Sequence, residues 1–152
     1  MPKLLIFAAC EKAIIDQDHN VSLIGLIQDL KVEIPEQVDI EISKAEGLPV
    51  AAMRWAAFSM WLKTDVDSGK EYEQRVALID PTGKPTGIEA RTAFGFAEGK
   101  TTMRNTSVVL GFPVHASGRF MLRLWIHEKG QPESIEPIAE YPINLNRGQP
   151  KA

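Results

Sequence analysis

A two-residue alternation of apolar and polar side chains runs through this chain in short stretches, each broken by Gly, Pro, Asn or Asp. Its cleanest instance is Arg119 to His127, where Phe120, Leu122, Leu124 and Ile126 alternate with Arg119, Met121, Arg123, Trp125 and His127. Successive side chains of a strand point to opposite faces, so this period implies one face in a core and the other in solvent. Tyr72, Gln74, Val76 and Leu78 alternate in the same way with Glu73, Arg75, Ala77 and Ile79, and Ile88 to Phe96 repeats the pattern.

Around these runs lie further strand candidates: Leu4 to Ile15, Val21 to Ile34, Thr101 to Phe112 and Ile138 to Leu145, with a short one expected around Val38 to Ile42. Gly25 inside the second of them points to a bulge or a close backbone approach. Val50 to Lys63 is apolar on both alternating sets. Its Ala and Met content is compatible with a helix, but a hairpin partner follows it at Tyr72 to Ile79, which favours a central strand. Asp16 to Asn20, Asp65 to Lys70 and Asp80-Pro81-Thr82-Gly83 are corners, the last with proline and glycine at the second and fourth positions of a β-turn. About eight strands and no repeat predict an all-β, single-domain, two-sheet antiparallel β-sandwich over residues 1–146, with 147–152 a polar tail. A chain of 152 residues with 44% hydrophobic content is large enough to bury such a core without disulfides.

Charge argues against two classes of partner. The net charge is −3 and the charges are scattered, so neither nucleic acid nor an anionic membrane is expected. One cysteine, Cys10, fits a reducing, cytoplasmic setting. The stretch Lys3 to Cys10 has the outline of a lipoprotein signal, but its apolar run is short and Phe7 stands where leucine is favoured. A buried first strand explains it better.

Recognisable catalytic patterns are missing from the sequence. Asp16-x-Asp18-x-Asn20 opens like a calcium loop, yet Val21 and Ile27 occupy the positions that need glycine and a bidentate acid. Asp65 and Asp67 form a second acidic corner that would have to meet the first at one end of the fold to hold an ion, and two acidic turns are the simpler reading. His19, His115 and His127 show no paired-ligand spacing, no serine sits in a nucleophile elbow, and Gly83-Lys84-Pro85-Thr86-Gly87 lacks the phosphate-loop pattern. No metal and no cofactor is expected.

Two surfaces stand out instead. Arg119, Arg123, Trp125 and His127 share one face of one strand, where guanidinium groups beside an indole suit a carboxylate, a sugar or an acidic peptide. Against this stands a simple solvated ladder, with basic side chains lying over the ring. Met53, Trp55 and Trp61 would form an interface patch if their face of Val50 to Lys63 were uncovered.

The runs Leu5-Ile6-Phe7-Ala8-Ala9-Cys10-Glu11-Lys12, Asn20 to Ile27, Asp80 to Gly83, Gly111-Phe112-Pro113 leading to Gly118-Arg119-Phe120, and Ala139 to Ile143 resemble a family of bacterial proteins defined as a domain of unknown function. The resemblance spans nearly the whole chain and implies a bacterial cytoplasmic sandwich, immunoglobulin-like or similar to calcium-dependent lipid-binding domains. Its motifs are corners and core strands, so it implies no residue roles. The sequence as a whole points to a non-catalytic module that binds a protein partner or forms a homo-oligomer. The alternatives are a ligand-binding sandwich for calcium or carbohydrate, and a hydrolase whose acids converge only in space.

Overall fold

The computed structural model describes residues 1–38 and 47–148. The chain is all-β: β1 (Lys3–Ile15), β2 (Val21–Leu26), β3 (Asp29–Glu33), β4 (Val50–Leu62), β5 (Glu71–Ile79), β6 (Pro85–Gly95), β7 (Thr102–Pro113), β8 (Gly118–Glu128) and β9 (Ala139–Gly148), with one 3-10 turn at Asp65–Asp67. They form a four-stranded sheet ordered β2-β1-β4-β7 and a five-stranded sheet ordered β3-β9-β8-β5-β6, the latter curled as half a barrel. The strand expected around Val38 to Ile42 lies outside the described residues except for Val38. Among the described residues no helix is long and apolar enough to cross a membrane.

Side chains from both sheets fill one buried cluster. Trp55, Ala57 and Trp61 of β4, with Ala9 and Phe112, meet Tyr72, Val76, Leu78, Phe120, Leu122, Leu124 and Ile143 of the facing sheet. The rings interlock: Phe112 lies 5.8 Å from Trp55 and 5.1 Å from Phe120, and Trp61 stacks 5.7 Å from Phe94. A small polar network sits inside this core, centred on one acceptor. Gln74 of β5, 1% exposed, accepts through Oε1 from the Ser59 hydroxyl (2.6 Å), the Trp61 indole N–H (2.9 Å) and the Asn105 amide (3.2 Å). All three donors belong to the opposite sheet.

Two departures from the expected antiparallel, eight-stranded plan have local causes. Val21 to Ile34 is two strands in different sheets, because Gly25, at φ +64°, and the Ile27–Gln28 corner turn the chain out of the first sheet. A Cβ on Gly25 would stand 2.7 Å from Glu11 side-chain atoms, so glycine serves both the left-handed backbone and the close approach. Ile27 N–H donates to Ala9 O on one side of the corner, and Asn144 N–H donates to Gln28 O on the other. Beyond the corner β3 joins β9 in parallel, pairing Lys31 with Asn146 and Glu33 with Gly148. That pairing carries the last strand two residues into the expected polar tail.

The second apolar set of β4 faces outward and is covered from an unexpected direction. β1 pairs with β4 only as far as Cys10–Ala56, and its remainder pairs with β2 alone. The resulting hairpin leans over the outer face, placing Ala13, Val21 and Leu23 on Cys10, Ala56 and Phe58. Its tip is tied down by Arg104, whose guanidinium donates to the His19 carbonyl. Burial raises the Cys10 thiol pKa, and a backbone hydrogen bond with Lys12 opposes this in part.

Leu122 and Leu124 are 1% and 0% exposed, so Leu122→Ala or Leu124→Ala is expected to lose about 2–5 kcal/mol in urea melts. Arg123→Ala, breaking only a part-exposed pair with Glu140, should lose under about 1 kcal/mol. Gln74→Leu would remove the shared acceptor of Ser59, Trp61 and Asn105, leaving Trp61 only its 3.2 Å bond to the Ser59 hydroxyl, at about 1–3 kcal/mol for each group left unsatisfied. A total loss below about 1 kcal/mol in the same melts would show that this amide does not hold the sheets.

Candidate interaction surfaces

The two outer faces of the molecule differ in kind. On the five-stranded sheet, Arg75 of β5 stands opposite Trp125 of β8 and Arg91 of β6. Its guanidinium carbon lies 3.7 Å from the centroid of the Trp125 ring, and its Nε and Nη2 grip Glu133 at 2.9 and 2.6 Å. The Trp125 indole N–H donates to Ile135 O at 3.2 Å. Glu133 and Ile135 belong to the segment between β8 and β9, which therefore straps the indole down, leaving it 6% exposed. Beneath Arg75 and the strap, Ala77, Ile79 and Trp125 form a small apolar cluster with Met121 against it.

The sequence-predicted residues separate on this frame. Trp125 and His127 sit together, but the cation over the ring is Arg75, not Arg119 or Arg123. Arg123 is paired with Glu140 at 2.8 Å. Arg119 lies further along β8, its Nε 3.4 Å from Asn144 Oδ1. His127 rests between two carboxylates, Nε2 3.8 Å from Glu73 and Nδ1 3.9 Å from Glu133. Trp55 and Trp61, considered for an outer patch, are both 0% exposed, because their alternating set of β4 faces the core. Their indole N–H groups are engaged there, Trp55 with Gly111 O at 2.9 Å and Trp61 with Gln74. Arg75 already stood in the outward set of its strand; only the register with β8, which the sequence does not display, puts it on the indole.

Acids do converge here, as Glu73, Glu89 and Glu133, but around cations. Arg91 reaches Glu73 at 3.0 Å and Glu89 at 3.1 Å, and Arg75 lies 3.6 Å from Glu89. The hydrogen-bonded Arg75 fork holds the Glu133 carboxyl below its ordinary range against the opposing effect of burial. A general acid needs the reverse shift.

The acidic corners are structural. Asp16 Oδ1 accepts from Asp18 N–H and Asn20 N–H at 2.9 Å, closing the first hairpin. Asp80 Oδ1 accepts from Thr82 N–H, the Thr82 hydroxyl and Lys84 N–H, while Oδ2 lies 3.1 Å from His115 Nε2. Asp67, 0% exposed, accepts from the Thr64 hydroxyl, the Tyr72 hydroxyl and Thr64 N–H. Nothing in the sequence separates this buried carboxylate from its exposed neighbour Asp65; the signal is Tyr72, whose hydroxyl needs an acceptor once its ring is in the core. Among the described residues no three His, Cys, Asp or Glu side chains gather to hold a metal.

The strands of the four-stranded sheet expose many large apolar side chains. Nine exposed large hydrophobics lie on its strands: Leu5, Ile6, Ile14, Ile15, Ile24, Leu26, Val50, Val108 and Leu110. Among the described residues, the strands of the other sheet carry none. Val108 and Leu110 pair with Ala56 and Arg54, and Leu110 is 78% exposed. Beside them a recess of about 310 Å³ opens between the leaning hairpin and β7, lined by Ala13, Ala56 and Val108 and rimmed by Glu11, Lys12 and Arg54.

Comparison with known proteins adds no assignment: no protein-family profile matches the chain, and no curated protein matches it.

Burial would raise the carboxyl pKa of both Asp67 and Asp80, but their hydrogen bonds outweigh it and hold both well below the ordinary range. The stabilisation is thus complete above the unfolded aspartate pKa near about 3.9 and drains away as pH falls toward the folded values. Asp67→Asn should be less stable at neutral pH and lose less on acidification below about pH 4, as read from melting temperature against pH.

Proposed function

We propose that this protein is a non-catalytic, sandwich-type interaction module that works in the cytoplasm by self-association through the outer face of its four-stranded sheet. The observation that carries the reading is the concentration of exposed aliphatic side chains on β1, β2, β4 and β7 against none on the opposite strands. Exposed apolar surface concentrated in this way marks contact sites on folded proteins.

The occupant best matched to that face is a second copy of the chain. Leu110 is a protruding knob, and the recess floored by Ala56 lies next to it on the same face. A two-fold axis between two such faces sets each Leu110 into the recess of the other copy, the self-complementary arrangement that closed dimers require. The rim supports this geometry because it carries both signs: rotation brings Glu11 of one copy toward Lys12 and Arg54 of the other. The lone thiol, Cys10, lies buried and fits a reducing compartment. The bacterial family that the sequence resembles implies the same layered fold.

Sedimentation velocity across a concentration series tests the proposal. The wild-type chain should show a dimer that Val108→Asp and Leu110→Asp each shift to monomer, with unchanged circular dichroism because both side chains are exposed. Arg123→Ala, on the other face, should leave the dimer intact. A wild-type monomer throughout, or a dimer indifferent to both aspartates, overturns the reading.

A further inference from the structure

We infer that the end of the five-stranded sheet where β3, β9 and β8 run side by side is a binding site for an acidic saccharide. A groove of about 730 Å³ lies there, within the range of small-ligand sites. The register builds its polar lining. Asp29, Asn144 and Arg119 stand in one row across the three strands, and Lys31 and Asn146 are paired one rung further on. Ser117, just before β8, completes the second rung at the groove's edge.

Part of this lining is held and part is open, as a ligand site requires. Across the first row the Arg119 Nε–H donates to Asn144 Oδ1 at 3.4 Å, and the Asn144 amide donates to Asp29 Oδ1 at 3.1 Å. That ladder orients the planar end groups before any ligand arrives, which lowers the ordering cost of binding. The terminal guanidinium nitrogens of Arg119 hold no hydrogen bond or ion pair with the described residues, and neither do the side chains of Lys31 and Asn146. The Ser117 hydroxyl accepts from Arg147 N–H at 3.2 Å and keeps its own proton to donate.

The chemistry of these groups selects the ligand class. Alternating amide donors and acceptors over adjacent strands match a row of sugar hydroxyls, each of which both gives and takes a hydrogen bond. Two cations, Arg119 and Lys31, stand against one carboxylate whose Oδ1 is already bonded to Asn144, so the lining carries an excess positive charge that a neutral sugar would leave unmatched. A carboxylate on the sugar ring satisfies it, with the planar guanidinium fork as its natural partner. This site is separate from the apolar face proposed for self-association, and it stands or falls independently of it.

Titration of the ¹⁵N-labelled full chain with an oligomer of galacturonic acid, followed by heteronuclear NMR, tests the assignment. The expected result is saturable shifts confined to amides of β3, of β9 and of the start of β8. Arg119→Ala and Asn146→Ala should each weaken binding at least tenfold while leaving circular dichroism unchanged, since both side chains are exposed. A neutral maltooligosaccharide of the same length should bind at least tenfold more weakly. No shifts, shifts centred elsewhere, equal affinity for the neutral oligomer, or equal shifts from acetate alone would each overturn the proposal.

Discussion

One amide oxygen, Gln74 Oε1, sets how the two sheets of this protein meet. It takes donors from Ser59, Trp61 and Asn105, all on the facing sheet, within a mainly apolar core. Hydrophobic burial has no direction and would accept several offsets between two greasy faces, whereas three hydrogen bonds to one atom accept very few. Within the four-stranded sheet itself, the Trp55 indole N–H donates to the backbone at Gly111 and fixes that ring on the core face. With those points held, the alternation of each strand decides what its outer face displays, and the two candidate surfaces follow.

How far the sequence reveals this can be argued from particular strands. In β5 and β8 one alternating set is apolar and the other is not, so facing was legible, including the inward position of Gln74. In β4 both sets are apolar, and periodicity cannot rank them. Volume does: the gap between sheets takes the two indoles, while the set with Ala56 and Phe58 suits the thinner cover that a leaning hairpin provides. The cover itself was not legible, because it depends on β1 outrunning its partnership with β4 at Cys10. The corners at Asp16 and Asp80 could be read from their composition, since short acidic side chains bond their own backbone locally. The position of Arg75 over Trp125 could not, since it rests on a pairing between strands some fifty residues apart.

The outer faces have opposite physical characters for related reasons. Across the five-stranded sheet most guanidinium groups already hold a carboxylate, and the Trp125 ring is capped by Arg75 and a strap, so much of that face is satisfied within the chain. Toward β3 the lining carries exposed polar groups with capacity to spare. The four-stranded sheet holds its aliphatic side chains out with little to cover them beyond the hairpin, and water is a poor partner for such a surface. A single domain thereby separates a contact that would be driven by dehydration from one that would be driven by directional bonding.

The parallel union of β3 with β9 also says something about how the molecule comes into being. Asp29 and Asn144 are 115 positions apart, so β3 must wait, its edge bare, while nearly all of the remaining chain leaves the ribosome. Loops of that span close slowly, and topologies dominated by distant pairings are among the slowest to mature. The final zip of β9 between β8 and β3 is therefore the step at which a nascent chain commits, and until then β3 stands without its partner.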